Sequence, residues 1–343
     1  MECIYTCNKC LREFKDTKIF LKHRYKLKEQ YIVKHLTKDI DFTLKPILKW
    51  VGGKTQILNK IIGRFPIEIN NYHELFLGGG SVLFGLLSCI KQNLIKVNGS
   101  INCYDINETL INLYKNIQVK PQELYNTIEQ YIKEYNTING TIVNRKASTL
   151  EEGLTSQESY YYYIRTSYNK LKQDEKNSIL GSALFIFLNK TCFRGVYRVG
   201  PNGFNVPFGN YSNPNIISIE HLMNIHSMIK NVKFIHSDFS KSIDNIQTGD
   251  FVYLDPPYAP ESSTSFVGYN IGGFDIANHN ELFKQCNIFN DKNIKFIMSN
   301  SDVELVKKNF PLDKFTIKTI LCKRSINSKN PGAKTNEIII YKN

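Results

Sequence analysis

Six short apolar runs set the strongest limit on what this chain of 343 residues can fold into. They are HELFL (73–77), SINCYD (100–105), VKFIHSD (232–238), DFVYLD (250–255), KFIMSNS (295–301) and EIIIYK (337–342). Each has the length of a strand, and helix-length intervals follow several of them. That rhythm predicts an α/β sheet covered by helices. Between residue 121 and about residue 230 the rhythm stops. Long polar helical segments, an aromatic run at 160–163 and a loop at 190–215 rich in Gly, Asn, Pro and Arg take its place. The simplest organisation is an α/β domain in two parts, 41–120 and 231–343. A mainly helical insertion at 121–230 interrupts it, and a basic arm at 1–40 precedes it.

Composition narrows the partners. A hydrophobic fraction of 42% belongs to a folded globular chain and not to a disordered one. No run approaches the 18 or so consecutive apolar residues of a membrane span, and residues 1–15 are polar. The expectation is an intracellular protein, cytoplasmic or nuclear, without a membrane partner. Of eight cysteines, Cys89, Cys103, Cys192, Cys286 and Cys322 are scattered in apolar surroundings and read as buried thiols of a reducing compartment. The formal net charge is +13, and residues 1–49 alone carry 12 Lys and Arg against 6 Asp and Glu. Such an excess favours a polyanion, because neutralising phosphates releases counterions.

The sharpest chemical signal is Asp255-Pro256-Pro257-Tyr258, directly after an apolar run. A carboxylate and a backbone carbonyl on a turn stiffened by two prolines are paired acceptors, suited to holding an amino group. A Tyr ring beside them can stack on a planar base. The bland alternative is an ordinary turn after a strand, but ligands of α/β sheets bind at the carboxyl ends of strands. Upstream, Glu74-Leu75-Phe76-Leu77-Gly78-Gly79-Gly80-Ser81 reads as a strand-to-helix turn that lets a ligand approach the backbone. Asp105 ends the next run, where a carboxylate can accept from ribose hydroxyls. It can equally cap the helix that follows, and the two roles are compatible.

Together with Lys49-Trp50-Val51-Gly52-Gly53-Lys54, these pieces resemble the Dam-type, alpha-class family of site-specific DNA adenine methyltransferases. The shared order is a K-W-x-G-G-K box, a Phe-x-Gly-x-Gly turn, Asp-x-Asn at 105–107, an insertion, and DPPY. The resemblance runs from about residue 45 to the end of the chain. It implies a Rossmann-like, doubly wound mixed sheet that binds S-adenosylmethionine, with the insertion as target-recognition domain. It further implies methylation of the exocyclic amino nitrogen of adenine in double-stranded DNA, by base flipping. By the same resemblance Asp255, Pro256, Pro257 and Tyr258 are catalytic, and Trp50, Lys54, Phe76, Gly78, Gly80, Asp105, Asp238, Phe239 and Asp255 face the cofactor. Lys54 would suit the methionine carboxylate, Asp105 the ribose, and Asp238-Phe239 the cofactor adenine. For Trp50 a core aromatic is the alternative.

The insertion extends the likeness. Residues 162–169 resemble the family's Y-x-x-R-x-x-x-N helix, and 189–211 its hairpin ending in F-N-V-P-F-G. Arg194, Tyr197, Arg198 and Asn205 on that hairpin are candidate DNA contacts. Arg is shaped for guanine edges, although a phosphate contact is an equal reading. Residues 323–328 resemble a loop near the substrate in GATC-directed members, which makes Arg324, Ser325 and Asn327 further candidates and GATC the leading site. A monomer or weak dimer is expected. A catalytically inactive DNA-binding relative and an RNA amino-methyltransferase are the alternatives.

The arm has its own signal. Tyr5-x-Cys7-x2-Cys10-x3-Phe14-x5-Phe20-x2-His23 follows the first three-quarters of a Cys2His2 zinc finger. Cys7, Cys10 and His23 are thus candidate ligands of a structural Zn2+. No second His follows at finger spacing, so Cys3, Glu29 or His35 would complete the site, or the site has decayed.

Overall fold

In the computed structural model, which describes residues 5–6, 13–14, 40–42, 44–260, 273–323 and 334–342, seven strands form the central sheet. They are β1 (Tyr72–Glu74), β2 (Ile101–Asp105), β3 (Val232–His236), β4 (Phe251–Leu254), β5 (Lys295–Ser301), β6 (Phe315–Lys323) and β7 (Lys334–Lys342). Their order across the sheet is β6-β7-β5-β4-β1-β2-β3. Strands β1 to β5 are mutually parallel, while β7 runs antiparallel to both β5 and β6. The expected mixed, doubly wound sheet is present.

Strand order reverses between β4 and β1, which pair with Tyr253 opposite Glu74. From β1 the chain moves outward through β2 and β3, and from β4 outward through β5. The loops after β1 and β4 therefore diverge and leave a crevice above the strand ends, where α/β sheets bind ligands.

The sequence explains the layers. Alternate residues of a strand face opposite sides. Tyr72, Cys103, Phe251, Tyr253, Ile297 and Ile339 enter one core, and Val252, Leu254, Phe296, Met298, Ile338 and Ile340 the other. Apolar residues on both faces are what a central parallel strand needs, and they make the runs legible as continuous stretches. The run at 73–77 is strand only in part. Beyond Glu74 the backbone turns outward, yet Leu75 and Leu77 still donate to the carbonyls of Tyr253 and Tyr104. Strand β6 is not among the six runs, because Thr316, Lys318 and Thr319 break up its apolar residues, as befits an edge.

The first core is covered by α1 (Ser81–Lys91) and α2 (Glu108–Val119), the second by α3 (Ile276–Asp291). Within 121–230 lie long helices at Pro121–Thr137, Gln157–Lys170, Ile179–Thr191 and Ile219–Ile229. Tyr160, Phe185 and Phe187 from this stretch belong to the same core as Leu83 and Leu110. The insertion is thus built onto one face of the sheet. The five scattered cysteines are buried and free. No helix among the described residues is long and apolar enough to cross a membrane.

In the arm, Tyr5–Thr6 and Glu13–Phe14 pair as antiparallel strands with Tyr5 opposite Phe14. Cys7, Cys10 and His23 lie outside the described residues, as do Arg324, Ser325 and Asn327. Among the described residues no group of His, Cys, Asp or Glu could hold a metal ion.

Candidate active site

The crevice is organised around one ion pair. Asp255 follows the last residue of β4, and Lys54 opens a short 3-10 turn at Lys54–Gln56 that sits beside α1 through a bond from its amide to Ser81 Oγ (3.0 Å). Lys54 Nζ lies 2.8 Å from Asp255 Oδ2, also donates to the carbonyl of Gly52, and sits 4.9 Å from the centre of the Tyr258 ring. The lysine side chain is only 4% exposed. Two of the three ammonium donors of Lys54 are thus engaged, by Asp255 and Gly52.

The other carboxylate oxygen, Asp255 Oδ1, is buried and has no hydrogen-bond partner. An acceptor withdrawn from water is costly unless something donates to it. Burial pushes the Asp255 carboxyl up to about 6, with Lys54 pulling it back and Glu337 adding to the rise. The loop that presents Asp255 is pinned from β5 and from β7 beyond it. Tyr258 Oη donates to Glu337 Oε2 on β7 (2.8 Å), Ala259 N to Asn300 Oδ1 on β5 (3.0 Å), and Ser301 Oγ to the Ala259 carbonyl (2.6 Å).

Next to it, the glycine turn needs its glycines. Gly78 and Gly80 have φ of +50° and +71°, in the left-handed region. A Cβ on Gly78 would come within 2.9 Å of the Trp50 ring, and one on Gly80 within 2.9 Å of Tyr114 Oη. Asp105 holds the turn from β2: its Oδ2 accepts from Gly78 N (2.9 Å) and its Oδ1 from Asn107 N (2.9 Å). Capping of α2 falls to Asn107, whose side chain accepts from Leu110 N, so the carboxylate of Asp105 is directed at the turn. Burial raises the Asp105 carboxyl and these backbone bonds oppose the rise.

Under the turn, at the end of β1, lies Glu74, which sequence reasoning did not single out. Only 2% exposed, it accepts from Tyr72 Oη at 2.8 Å. Burial raises it to about 8, the tyrosine bond lowers it, and the nearby Asp255 and Asp105 raise it further. Three carboxyl groups at the ends of adjacent strands do not ionise independently, and the innermost is held neutral.

An aromatic box completes the crevice. Phe76 and Phe239 are in contact (centroids 5.6 Å), and Phe274 meets both, at 5.9 and 5.5 Å. Phe274 was missed in the sequence because it stands outside any motif, just before Asp275, the capping residue of α3. Asp238 accepts from Ser240 N and Oγ (2.9 and 2.7 Å), which caps the short helix that carries Phe239.

The hairpin candidates divide. Arg198 and Asn205 are exposed and bonded to each other, Arg198 Nε to Asn205 Oδ1 at 2.7 Å. Arg194 sits in the left-handed region (φ +56°), its backbone N–H bound to Tyr211 Oη at 2.8 Å and its guanidinium over the ring of exposed Phe193. Tyr197 turns inward instead: its ring stacks on Trp50 at 5.6 Å with an interplanar angle of 20°. Lys49, beside the box, lies 3.9 Å over the Tyr211 ring.

This arrangement has recognised relatives. Residues 50–326 match the family described as D12 class N6 adenine-specific DNA methyltransferase. The type II methyltransferase M.MjaIII of Methanocaldococcus jannaschii is 37% identical over 299 residues, covering 85% of this chain and 96% of the relative. M1.LlaDCHI of Lactococcus lactis subsp. cremoris, also a type II methyltransferase, is 31% identical, over 87% of this chain and 95% of the relative. A DNA adenine methylase of Haemophilus influenzae is 29% identical, over 84% and 89%.

Proposed function

The chain belongs to the D12 class of N6 adenine-specific DNA methyltransferases, and on that premise we propose that Asp255 and its turn hold an extruded adenine while the glycine crevice binds S-adenosylmethionine. The observation that carries this reading is the divided carboxylate of Asp255, one oxygen fixed by Lys54 at 2.8 Å and the other buried and unpartnered. A buried acceptor of this kind suits an amino N–H brought in by a substrate.

The residues fit the cofactor on their own chemistry. Gly78 and Gly80 let the turn pack closely on Trp50 and Tyr114 and leave its backbone bare for a ligand, Asp105 supplies ribose acceptors, and Phe76, Phe239 and Phe274 offer faces for an adenine ring. When bound, the cofactor supplies an electrophilic methyl group on a sulfonium. The protein's part is orientation and electrostatics. Asp255 Oδ1 accepts one amino hydrogen of adenine and the Pro256 carbonyl the other. That draws the nitrogen lone pair out of conjugation and towards the methyl. Lys54 keeps Asp255 ionised and fixed, and the Tyr258 ring, tethered through Glu337, stacks on the base.

For the target sequence we propose GATC, on the resemblance of residues 323–328 to a loop of GATC-directed members. Single-molecule mapping of methyladenine in DNA modified by the chain tests it, and a consistent motif other than GATC would discard it. Arg194→Ala distinguishes base reading from phosphate contact: relaxed site preference marks a base contact, and uniform weakening on all sites a phosphate contact.

For the arm we propose a structural Zn2+ held by Cys7, Cys10 and His23. The ligand spacing and the strand pairing of Tyr5 with Phe14 match the β-hairpin of a ββα finger. Metal analysis of the full chain should find about one zinc, lost in Cys7→Ser; a metal-free full chain would overturn the site.

A further inference from the structure

We propose that Tyr197 couples the DNA-recognition hairpin to the cofactor crevice, so that DNA on one tightens binding in the other. The inference rests on the reading of hairpin and crevice given above. It concerns a residue that the sequence assigns to DNA and the fold turns the other way.

Tyr197 sits between two walls of the crevice. Its ring lies parallel to Trp50, whose own ring is the surface that would meet a Cβ on Gly78 or Gly79. Asp105 holds the same turn from β2, accepting from Gly78 N at 2.9 Å. Tyr197 therefore reaches the glycine turn through Trp50. Phe185 packs edge-on against both Tyr197 (5.4 Å) and Trp50 (6.5 Å), which fixes the stack from behind.

The root of the hairpin is tied to the same segment. Asn189 accepts from Lys49 N (2.8 Å), donates to the Lys49 carbonyl (2.8 Å) and also reaches the Gly195 carbonyl (3.3 Å). A Cβ on Gly195 would fall within 2.2 Å of Lys49 Cβ, so hairpin and box are in backbone-level contact. Arg198, next to Tyr197, is exposed on the outer side. A pull on Arg198 by a phosphate or base moves Tyr197, and the Trp50 stack transmits the shift to the turn. Coupling of this kind is reciprocal, and contiguous packing is a physical route for it. Tyr197 is a positioning residue here, acting on the crevice through Trp50.

Trp50 is the single tryptophan of the chain, so intrinsic fluorescence reports this box alone. The test is titration with S-adenosylhomocysteine, which permits no turnover, with and without a duplex that the wild type methylates. The ratio of the two dissociation constants is the readout. Wild type should bind roughly tenfold tighter with duplex, within the usual range of coupling between sites. Tyr197→Phe keeps the ring that stacks on Trp50 and should keep the ratio; Tyr197→Leu removes the stack and should bring it to about one. A merely structural role would weaken both affinities and leave the ratio intact. An unchanged ratio in Tyr197→Leu, or a ratio of one in wild type, overturns the coupling. Failure of the underlying reading shows separately, as a wild type that methylates no duplex.

Discussion

Lys54 and Asp255 meet at 2.8 Å in the crevice between β1 and β4, and the pair leaves one buried oxygen of Asp255 for the substrate. Lys54→Met should lower kcat by roughly 10²-fold, the scale seen when one preorganised electrostatic partner is removed. Steady-state kinetics on unmethylated duplex checks it. A variant with wild-type kcat and a raised KM for the cofactor would instead place Lys54 on the methionine carboxylate.

The pH dependence follows from the same pair. In the proposed role Asp255 is the stronger acceptor for the amino group as a carboxylate, and its folded value is about 6. The profile of kcat/KM should therefore be level above that pH and fall about tenfold per unit below it. Lys54 pulls this value down, so in Lys54→Met the acid limb should move to higher pH. A limb that stays in place in the variant contradicts the pairing.

Glu74 offers a stability test independent of catalysis. Its folded value, about 8, lies above the ordinary 4.5. Between those values the native state keeps a proton that the unfolded chain releases. The stabilisation is full below about pH 4.5 and is lost as pH rises through about 8. Denaturant unfolding should show wild type losing up to about 1.4 kcal/mol per pH unit across that window relative to Glu74→Gln. Parallel curves for the two proteins would mean that Glu74 is ionised throughout.

Phe274 meets both Phe76 and Phe239, and the box they form is read as the adenine pocket of the cofactor. Phe274→Ala should weaken binding of S-adenosylhomocysteine about tenfold, the scale of one aromatic stack on a base. Calorimetry measures it. Unchanged affinity would place the adenine elsewhere.

Much of this was legible because the functional groups stand at the carboxyl ends of buried strands. Asp105 and Asp255 each close an apolar run, and the glycines at 78–80 mark the turn after β1. Buried parallel strands cannot hide in a sequence, since both faces must be apolar. The partnerships were not legible. Nothing in the spacing of Lys54 and Asp255 says that they touch, because the contact depends on which loops share the switch point. Phe274 reaches the crevice only through the placement of α3. Tyr197 reads as an outward aromatic between two arginines, and only the backbone at Arg194, with φ of +56°, and at Gly195, with +64°, turns it onto Trp50. Strand β6 escaped because an edge strand interrupted by Thr316, Lys318 and Thr319 lacks the continuous apolar signature.

The most direct measurement is transfer of labelled methyl from S-adenosylmethionine to adenine-unmethylated duplex DNA, followed by nucleoside analysis, with Asp255→Asn in parallel. Wild type should place the label in N6-methyladenine, and Asp255→Asn, correctly folded by thermal melting, should lose at least about 10³-fold in rate. Label in another base, or an Asp255→Asn variant as fast as wild type, would contradict the role given to Asp255.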